Sequence, residues 1–265
     1  ALEEDIGYGD ITTQSLIPAE QKARGLFVAK TPGVVAGIKV SRTVFAYLDP
    51  ATEFEIHKDD GDTIEPGDVI AVVRGKARTL LTGERTALNF LQRLSGIATK
   101  TRKMTDLIKY SPAQLLDTRK TTPGLRVLEK YAVSVGGGRN HRFGLFDGVM
   151  IKDNHIQAVG SIAQAVATAR QKVPHTVKIE VEVETMEQLQ EALEARADII
   201  MLDNMDIYEM VEAVQITAGR ALLEASGGIN EGNVVEAART GVDFISMGAL
   251  THAVSSLDIS FDIVE

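Results

Sequence analysis

Short apolar runs separated by turn dipeptides fill the first eighty residues of the chain. RGLFVAK at 24–30 and the segment from EFEI at 53–56 onward are rich in β-branched or alternating apolar residues, and Pro-Gly and Asp-Gly pairs interrupt them, as between strands. Residues 38–48 instead have a helical period. We therefore predict a small domain of mixed helices and strands over residues 1–82.

The hydrophobic period changes at Gly83. In GERTALNFLQRLSGIAT the residues Leu88, Leu91 and Leu94 recur every three positions, with further apolar residues beside them. This spacing is typical of an amphipathic helix. It marks the expected junction with a second domain over residues 83–253.

Apolar runs, most of them ending in a polar residue and followed by a helical stretch, make up the second domain. They are QLLDTRK, YAVSVGGG, GVMIKDNH, VKIEVEVE, DIIMLDN, ALLEASGG and DFISMGAL. This order predicts parallel strands with crossover helices, YAVSV being an extra strand, and a barrel would gather the polar strand ends at one mouth. An open doubly wound sheet is the alternative, although no G-x-G-x-x-G motif follows the first strand.

Composition narrows the function classes. The 265 residues carry a net charge of −9 and no cysteine. The acidic balance argues against nucleic acid or an anionic membrane as partner, and no apolar run approaches the roughly 18 residues that span a bilayer. Missing cysteines exclude disulfides, thiolate metal sites and a thiol nucleophile, and no secretory signal is visible, so we expect a cytoplasmic protein.

Positive charge is concentrated between residues 117 and 153, where seven basic residues stand against four acidic ones. Arg119 and Lys120 follow the strand QLL together with Thr118, and Lys152 ends the strand GVMI. Arginine binds carboxylates or phosphates with its planar fork, and lysine adds a compact charge, so the cluster predicts a polyanionic substrate. Scattered surface charge is the alternative, and Arg126 and Arg139 fit ordinary surface positions.

Glycine-containing turns follow two successive strands, at Ser226-Gly227-Gly228 and at Met247-Gly248-Ala249. Backbone N–H groups exposed there, beside a helix N-terminus, form an anion site, and the last two strands of α/β barrels commonly bind phosphate. Both turns together therefore predict a phosphate site.

Carboxylates complete the candidate chemistry. Strand alternation puts Glu180, Glu182 and Glu184 on one face, and Asp203 ends the run IIMLD. Such groups balance the lysines or hold Mg²⁺ through water; a salt-bridge layer filling the barrel is the alternative. The histidines lack the spacing of a zinc site or of a Ser-His-Asp arrangement.

The longest of these motifs is DTRKTTPGLRVLEKYAVSVGGGRNHRFGLFDGVMIKDNH. With EDIGYGDITTQ, GERTALNFLQRLSGIAT, IIMLDN, LLEASGGI and FISMGALTH, it resembles the quinolinate phosphoribosyltransferase family from residue 5 to about residue 260. The resemblance implies an N-terminal α/β sandwich domain over 1–82, joined by 254–265, and an incomplete, seven-stranded α/β barrel over 83–253. It also leads us to expect a further N-terminal helical segment before residue 1.

The resemblance implies a reaction as well: quinolinate and phosphoribosyl pyrophosphate give nicotinate mononucleotide, pyrophosphate and CO₂, with Mg²⁺, in NAD biosynthesis. By motif position it assigns the two quinolinate carboxylates to Arg119, His141, Arg142 and Lys152, the pyrophosphate to Lys120 and Lys152, the ribose and Mg²⁺ to Glu182 and Asp203, and the 5′-phosphate to Ser226, Gly227, Gly228 and Gly248. Thr118 joins the substrate-binding set, and Arg85 is expected from the partner subunit of a homodimer, with hexamer assembly left open.

Three other readings stay open at this point. One is a related phosphoribosyltransferase with another acceptor, such as the paralogue of molybdate transport operons; the many cations argue against it, because a monocarboxylate needs fewer bases. Another is a Schiff-base aldolase that uses Lys152. The third is a ligand-binding or carrier protein, suggested by the lipoyl-like segment at 61–75, which lacks a lysine at a hairpin tip.

Overall fold

The computed structural model describes residues 1–264 and separates into two compact units. The first comprises Ala1–Arg102, Val127–Gly137 and the residues from Val254 onward; the second comprises Lys103–Arg126 and Gly138–Ala253. The helices are α1 (Leu2–Ile6), α2 (Ile11–Leu16), α3 (Ile38–Leu48), α4 (Ala77–Leu107), α5 (Arg126–Val135), α6 (Asp153–Val159), α7 (Ile162–Lys172), α8 (Met186–Glu194), α9 (Ile207–Thr217), α10 (Val234–Arg239) and α11 (Ala249–His252). The strands are β1 (Lys22–Ala29), β2 (Gly33–Val34), β3 (Glu53–Ile56), β4 (Thr63–Ile64), β5 (Val69–Lys76), β6 (Gln114–Leu116), β7 (Val149–Ile151), β8 (Ile179–Val183), β9 (Ile199–Asp203), β10 (Leu222–Ser226), β11 (Phe244–Ser246) and β12 (Ile259–Val264).

The first unit is built on a four-stranded antiparallel sheet in the order β12-β1-β5-β3. The predicted strands at RGLFVAK and EFEI and the predicted helix at 38–48 are confirmed as β1, β3 and α3. Phe27 of β1 lies opposite Phe261 of β12, with ring centroids 4.8 Å apart. Phe45 of α3 packs on the same rings, so this aromatic group forms the centre of the unit's core.

The amphipathic helix predicted from Gly83 is confirmed as α4. Leu88, Leu91 and Leu94 are all buried, as their spacing requires. The helix begins six residues earlier than the hydrophobic period indicates, because ARTLL contains good helix formers and nothing that stops a helix. The predicted domain junction at residue 83 therefore falls inside a continuous helix.

A six-stranded parallel sheet in the order β6-β11-β10-β9-β8-β7 forms the second unit. Six of the seven predicted strand runs become these strands, and their carboxyl ends point the same way; for example, Ser226 pairs with Asp203 in the register of β10 and β9. Helices connect the strands, as in an incomplete α/β barrel. Beside β6, a single parallel bridge joins Arg139 to Leu116.

The prediction of a strand at YAVSV is wrong. The run lies in α5, whose buried residues Glu129, Lys130, Ala132 and Val133 share one side of the helix. A short apolar run fits either structure by composition, and here the helical burial pattern prevails. Gly136 and the left-handed Gly137 (φ 95°) follow the helix, so the expected seventh strand is reduced to the one-residue bridge at Arg139.

Within the described residues, no helix is long and apolar enough to cross a membrane.

Candidate active site at the strand ends

A cavity of about 730 Å³ lies at the carboxyl ends of the parallel strands in the second unit. Its lining includes most of the residues singled out in the sequence: Thr118, Arg119, Lys120, His141, Arg142, Lys152, Glu182, Asp203, Ser226, Gly227, Gly228 and Gly248. Parallel strands bring these residues together from positions more than a hundred residues apart. Arg85, the other residue of the predicted substrate-binding set, does not line the cavity; its side chain is exposed on α4 of the first unit.

The turn after β6 presents the first cations. The Lys120 backbone N–H donates to Thr118 Oγ1 at 3.0 Å, and the Thr251 hydroxyl of α11 donates to the Lys120 carbonyl at 2.7 Å. These bonds fix the backbone, while the side chains of Arg119 and Lys120 remain exposed at the cavity. The cationic groups can therefore adapt to a ligand without movement of the turn.

Arg126 supports this turn, and the prediction that it is an ordinary surface residue is wrong. Its Nε donates to Thr121 Oγ1 at 2.9 Å, and Nη1 donates to the Phe143 carbonyl at 3.1 Å. Nη2 reaches the Arg119 carbonyl at 3.4 Å. One side chain thus connects the two cationic segments of the cavity, which a sequence pattern does not reveal.

The segment after Arg139 carries Arg142 into the cavity. The Arg142 Nη1 donates to the Gly148 carbonyl at 3.1 Å, and the Asp147 carboxylate accepts the backbone N–H of Phe143 at 2.6 Å. Burial, and then the charge of Arg119, lower the pKa of Arg142. A guanidinium stays charged under such a shift, so two mutually repelling arginines are held ready for an anion.

Lys152, at the end of β7, is paired with a carboxylate of the next strand. Its Nζ donates to Glu182 Oε2 of β8, and the two side chains are 41% and 12% exposed. The position of the lysine is thus determined by the parallel register. A lysine that forms a Schiff base needs an apolar environment, whereas Lys152 is held in an ion pair with Glu182, which disfavours the Schiff-base reading.

Glu180 and Glu182 of β8 and Glu184, directly after the strand, have different environments. Glu180 is buried, Glu182 is partly buried at the cavity and Glu184 is exposed. Glu180 Oε2 lies 3.2 Å from His141 Nε2, and Glu224 Oε2 of β10 lies 3.5 Å from the same nitrogen. Glu180 therefore fits the alternative of a salt-bridge layer inside the barrel, whereas Glu182 lines the cavity.

Glu224 is a cavity residue that the sequence reasoning missed. Burial, and then the neighbouring charge of Glu180, raise its pKa to about 7. The available signal was a single acid inside the apolar run ALLEAS, two residues before Ser226 and therefore on the same face of the strand.

The two glycine turns differ in geometry. Gly227 has φ 85°, and a Cβ there would lie 2.3 Å from Asn204 Oδ1, so glycine is required both by conformation and by space. At Gly248 a Cβ would lie 2.9 Å from Lys120 Cδ. Residues 229–233 separate the turn at Gly227 from α10. The backbone N–H groups at this position therefore belong to the turn itself, whereas the sequence pattern predicts them beside a helix N-terminus.

Methionines add an apolar part to the cavity that was also missed. Met150, Met201 and Met247 all line it, and Met150 Sδ lies 3.5 Å from Arg142 Nη2. Thioether side chains make favourable contacts with flat aromatic rings. The lining therefore suits a substrate that combines a ring with anionic groups.

Together, the cations after β6 and β7, the carboxylates of β8 and β9 and the glycine turns after β10 and β11 define an α/β-barrel enzyme for anionic substrates. The family models named quinolinate phosphoribosyl transferase, N-terminal domain and C-terminal domain match residues 10–95 and 97–262. The chain belongs to the quinolinate phosphoribosyltransferase family.

Individual relatives agree with the family match. A probable nicotinate-nucleotide pyrophosphorylase [carboxylating] of Bacillus subtilis (strain 168) is 51% identical over 260 residues, which cover 98% of this chain and 90% of the relative. The chloroplastic nicotinate-nucleotide pyrophosphorylase [carboxylating] of Arabidopsis thaliana is 44% identical, covering 99% and 80%. The structure of the nicotinate-nucleotide pyrophosphorylase from Francisella tularensis has a TM-score of 0.95 at 41% identity, covering 99% and 93%.

Proposed function

We propose that this chain transfers a phosphoribosyl group to quinolinate with loss of CO₂, forming nicotinate mononucleotide and pyrophosphate for de novo NAD biosynthesis. The observation that carries the proposal is that three cations, Arg119, Arg142 and Lys152, line the same cavity as two glycine turns. One substrate is a dicarboxylate and the other a phosphorylated sugar, so together they need both kinds of anion site. The names of the relatives support the same reaction.

Quinolinate would be bound by Arg142, whose orientation is fixed by a hydrogen bond, together with Arg119 and Lys152. The Arg142 guanidinium, anchored on Gly148, offers a bidentate partner for one carboxylate, and Arg119 and Lys152 neutralise the other. The methionine side chains contact the pyridine ring. His141 also lines this cavity, but its ring is engaged by buried carboxylates, so we assign it a supporting role beside Arg142.

In the proposed mechanism the protein aligns charges and needs no base. The pyridine nitrogen attacks the ribosyl carbon as the bond to pyrophosphate breaks, and Lys120 and Lys152 stabilise the departing negative charge. The ring nitrogen is then positively charged, so it accepts the electron pair left when the adjacent carboxylate departs as CO₂. A proton takes the vacated ring position.

Mg²⁺ is part of the proposal, with Glu182 and Asp203 as its protein partners through water. Both are carboxylates at strand ends in the cavity, and Mg²⁺ prefers oxygen ligands while keeping several waters. Asp203 Oδ2 accepts a hydrogen bond from Asn204 Nδ2 at 3.0 Å, which orients the carboxylate. The ion would neutralise part of the pyrophosphate charge.

We further propose a homodimer in which Arg85 completes the cavity of the partner subunit; assembly into a hexamer and a cytoplasmic location also stay predictions.

Mixing Arg85→Ala and Lys152→Met proteins, each inactive alone, should restore activity, because a mixed dimer contains one intact site. With random exchange, about a quarter of the wild-type activity returns. Steady-state assays after subunit exchange measure it, and no recovery despite proven exchange would contradict a shared site.

Gly227→Ala should raise the KM for phosphoribosyl pyrophosphate about a hundredfold and leave quinolinate binding unchanged. The added Cβ meets Asn204 and strains a left-handed residue, so the turn shifts away from the phosphate. Kinetics with each substrate varied in turn measure the effect. Gly219→Ala is the matched control, since φ there is 76° but nothing lies within 4 Å of a Cβ. An equal increase of this KM in both variants would mean that backbone strain, and not the contact with Asn204, causes the defect.

A calorimetric titration of the protein with quinolinate and with nicotinate tests the proposed specificity. Quinolinate should bind at least about tenfold more tightly, because its second carboxylate gains a charge-assisted contact. Equal affinity for the two acids, or binding of neither, would favour a related phosphoribosyltransferase with another acceptor.

A further inference from the structure

A buried cluster of one histidine and two glutamates lies beneath the cation-lined cavity. Suitable ligand atoms of His141, Glu180 and Glu224 are all within 4.8 Å of one another. Glu180 and Glu224 are 5% and 1% exposed, and Oε1 of each is buried with no hydrogen-bond partner. Two carboxylates so close together and so poorly hydrated cannot both remain charged at low cost.

The contacts of the histidine ring favour a proton over a metal ion in this cluster. Its Nδ1 accepts the Arg142 backbone N–H at 2.7 Å, so the ring proton of neutral His141 lies on Nε2. Nε2 is the atom that faces Glu180 at 3.2 Å and Glu224 at 3.5 Å. A metal at Nε2 would have to displace this proton, which Nδ1 cannot take while it accepts the bond from Arg142.

Glu224 is the member of the cluster placed to exchange a proton near neutral pH. Burial and the Glu180 carboxylate of β8 raise its pKa, whereas His141, the Ser246 hydroxyl of β11 and Lys152 of β7 lower it; the balance is about 7. Glu224 also lines the cavity, so charge entering the cavity acts on it at short range.

We propose that Glu224 takes up a proton from solvent when a dicarboxylate binds in the cavity, so that the affinity for quinolinate is linked to the protonation of Glu224. The inference rests on the proposed function, because it places quinolinate beside Arg142 and Lys152. A dianion there adds negative charge near Glu224, which raises the proton affinity of the carboxyl group further. By reciprocity, a protonated Glu224 strengthens binding of the dianion.

The direction of the pH dependence follows from this linkage. The favourable contribution is complete below the pKa of Glu224 in the free protein and is lost as the pH rises through the higher pKa of the complex. If binding raises that pKa by about one unit, the Kd for quinolinate rises about sixfold between about pH 6.5 and about pH 8.5, where quinolinate itself stays a dianion.

Calorimetric titration with quinolinate alone, at about pH 7.5 in two buffers of different ionisation enthalpy, measures the protons taken up. Wild-type protein should take up about half a proton per site, and Glu224→Gln close to none. Glu184→Gln is the matched control, because Glu184 is an exposed glutamate directly after β8 and does not line the cavity; it should behave as wild type. Thermal melting verifies that each variant is folded.

Binding without proton uptake in wild-type protein would overturn the inference while leaving the proposed function intact. Equal uptake by folded Glu224→Gln protein would overturn it too, because another group would then carry the proton. If that variant fails to fold, the wild-type pH profile decides, and a flat Kd contradicts the linkage. No binding of quinolinate at any pH would count against the proposed function itself.

Discussion

Replacing Arg142 with alanine should lower kcat/KM for quinolinate about a thousandfold, mostly through a higher KM. The Arg142 guanidinium is partly buried and anchored on the Gly148 carbonyl, so its orientation toward the cavity is already determined before substrate binds. Its removal leaves a carboxylate of the substrate without a charged partner in a partly desolvated site. Steady-state kinetics with quinolinate and phosphoribosyl pyrophosphate varied separately give both constants.

Arg139→Ala is the matched control for this prediction. Arg139 lies three residues earlier, its side chain is exposed and absent from the cavity lining, and its backbone forms the bridge to Leu116. The same charge is removed, yet kcat/KM should stay within about twofold, because distant exposed charges are screened by salt. An Arg142→Ala enzyme with unchanged quinolinate KM and kcat would refute the assigned role.

Lys152→Met should lower kcat about a thousandfold even when both substrates are saturating. The substitution removes a positive charge that is needed as pyrophosphate departs, and it leaves Glu182 without its ion-pair partner inside the cavity. An uncompensated carboxylate there also repels both anionic substrates. Single-turnover kinetics with enzyme in excess separate the chemical step from product release.

Lys178→Met provides the comparison for Lys152. Lys178 is exposed and immediately precedes β8, at the amino end of the sheet, so the net charge changes equally without touching the cavity. We therefore expect the Lys178→Met enzyme to have the wild-type kcat. A Lys152→Met enzyme whose saturated rate falls less than about tenfold would mean that this lysine is not part of the charge stabilisation.

Much of the barrel could be predicted because its strands are buried on both faces. Such strands appear as continuous apolar runs, and a polar residue that ends each run must lie at the carboxyl edge. This pattern predicts that Lys152, Glu182 and Asp203 meet at one edge of the sheet; all three line the cavity, and the parallel register brings Lys152 next to Glu182.

The remaining features depend on contacts that no local pattern specifies. YAVSV has the composition of a strand, but the burial pattern of α5 makes it a helix. Arg126 acquires its role only when the segments containing Thr121 and Phe143 come together. Glu224 is a single acid inside an apolar run, and its significance arises only when the fold buries it and brings it near Glu180, two strands away in the sheet.

The central claim is tested most directly by turnover with phosphoribosyl pyrophosphate and Mg²⁺, with quinolinate and nicotinate as alternative acceptors. The account predicts that quinolinate alone is consumed, with nicotinate mononucleotide, pyrophosphate and CO₂ formed in equal amounts. Mononucleotide formed from nicotinate at a comparable rate, or no product from quinolinate with intact protein, would contradict it.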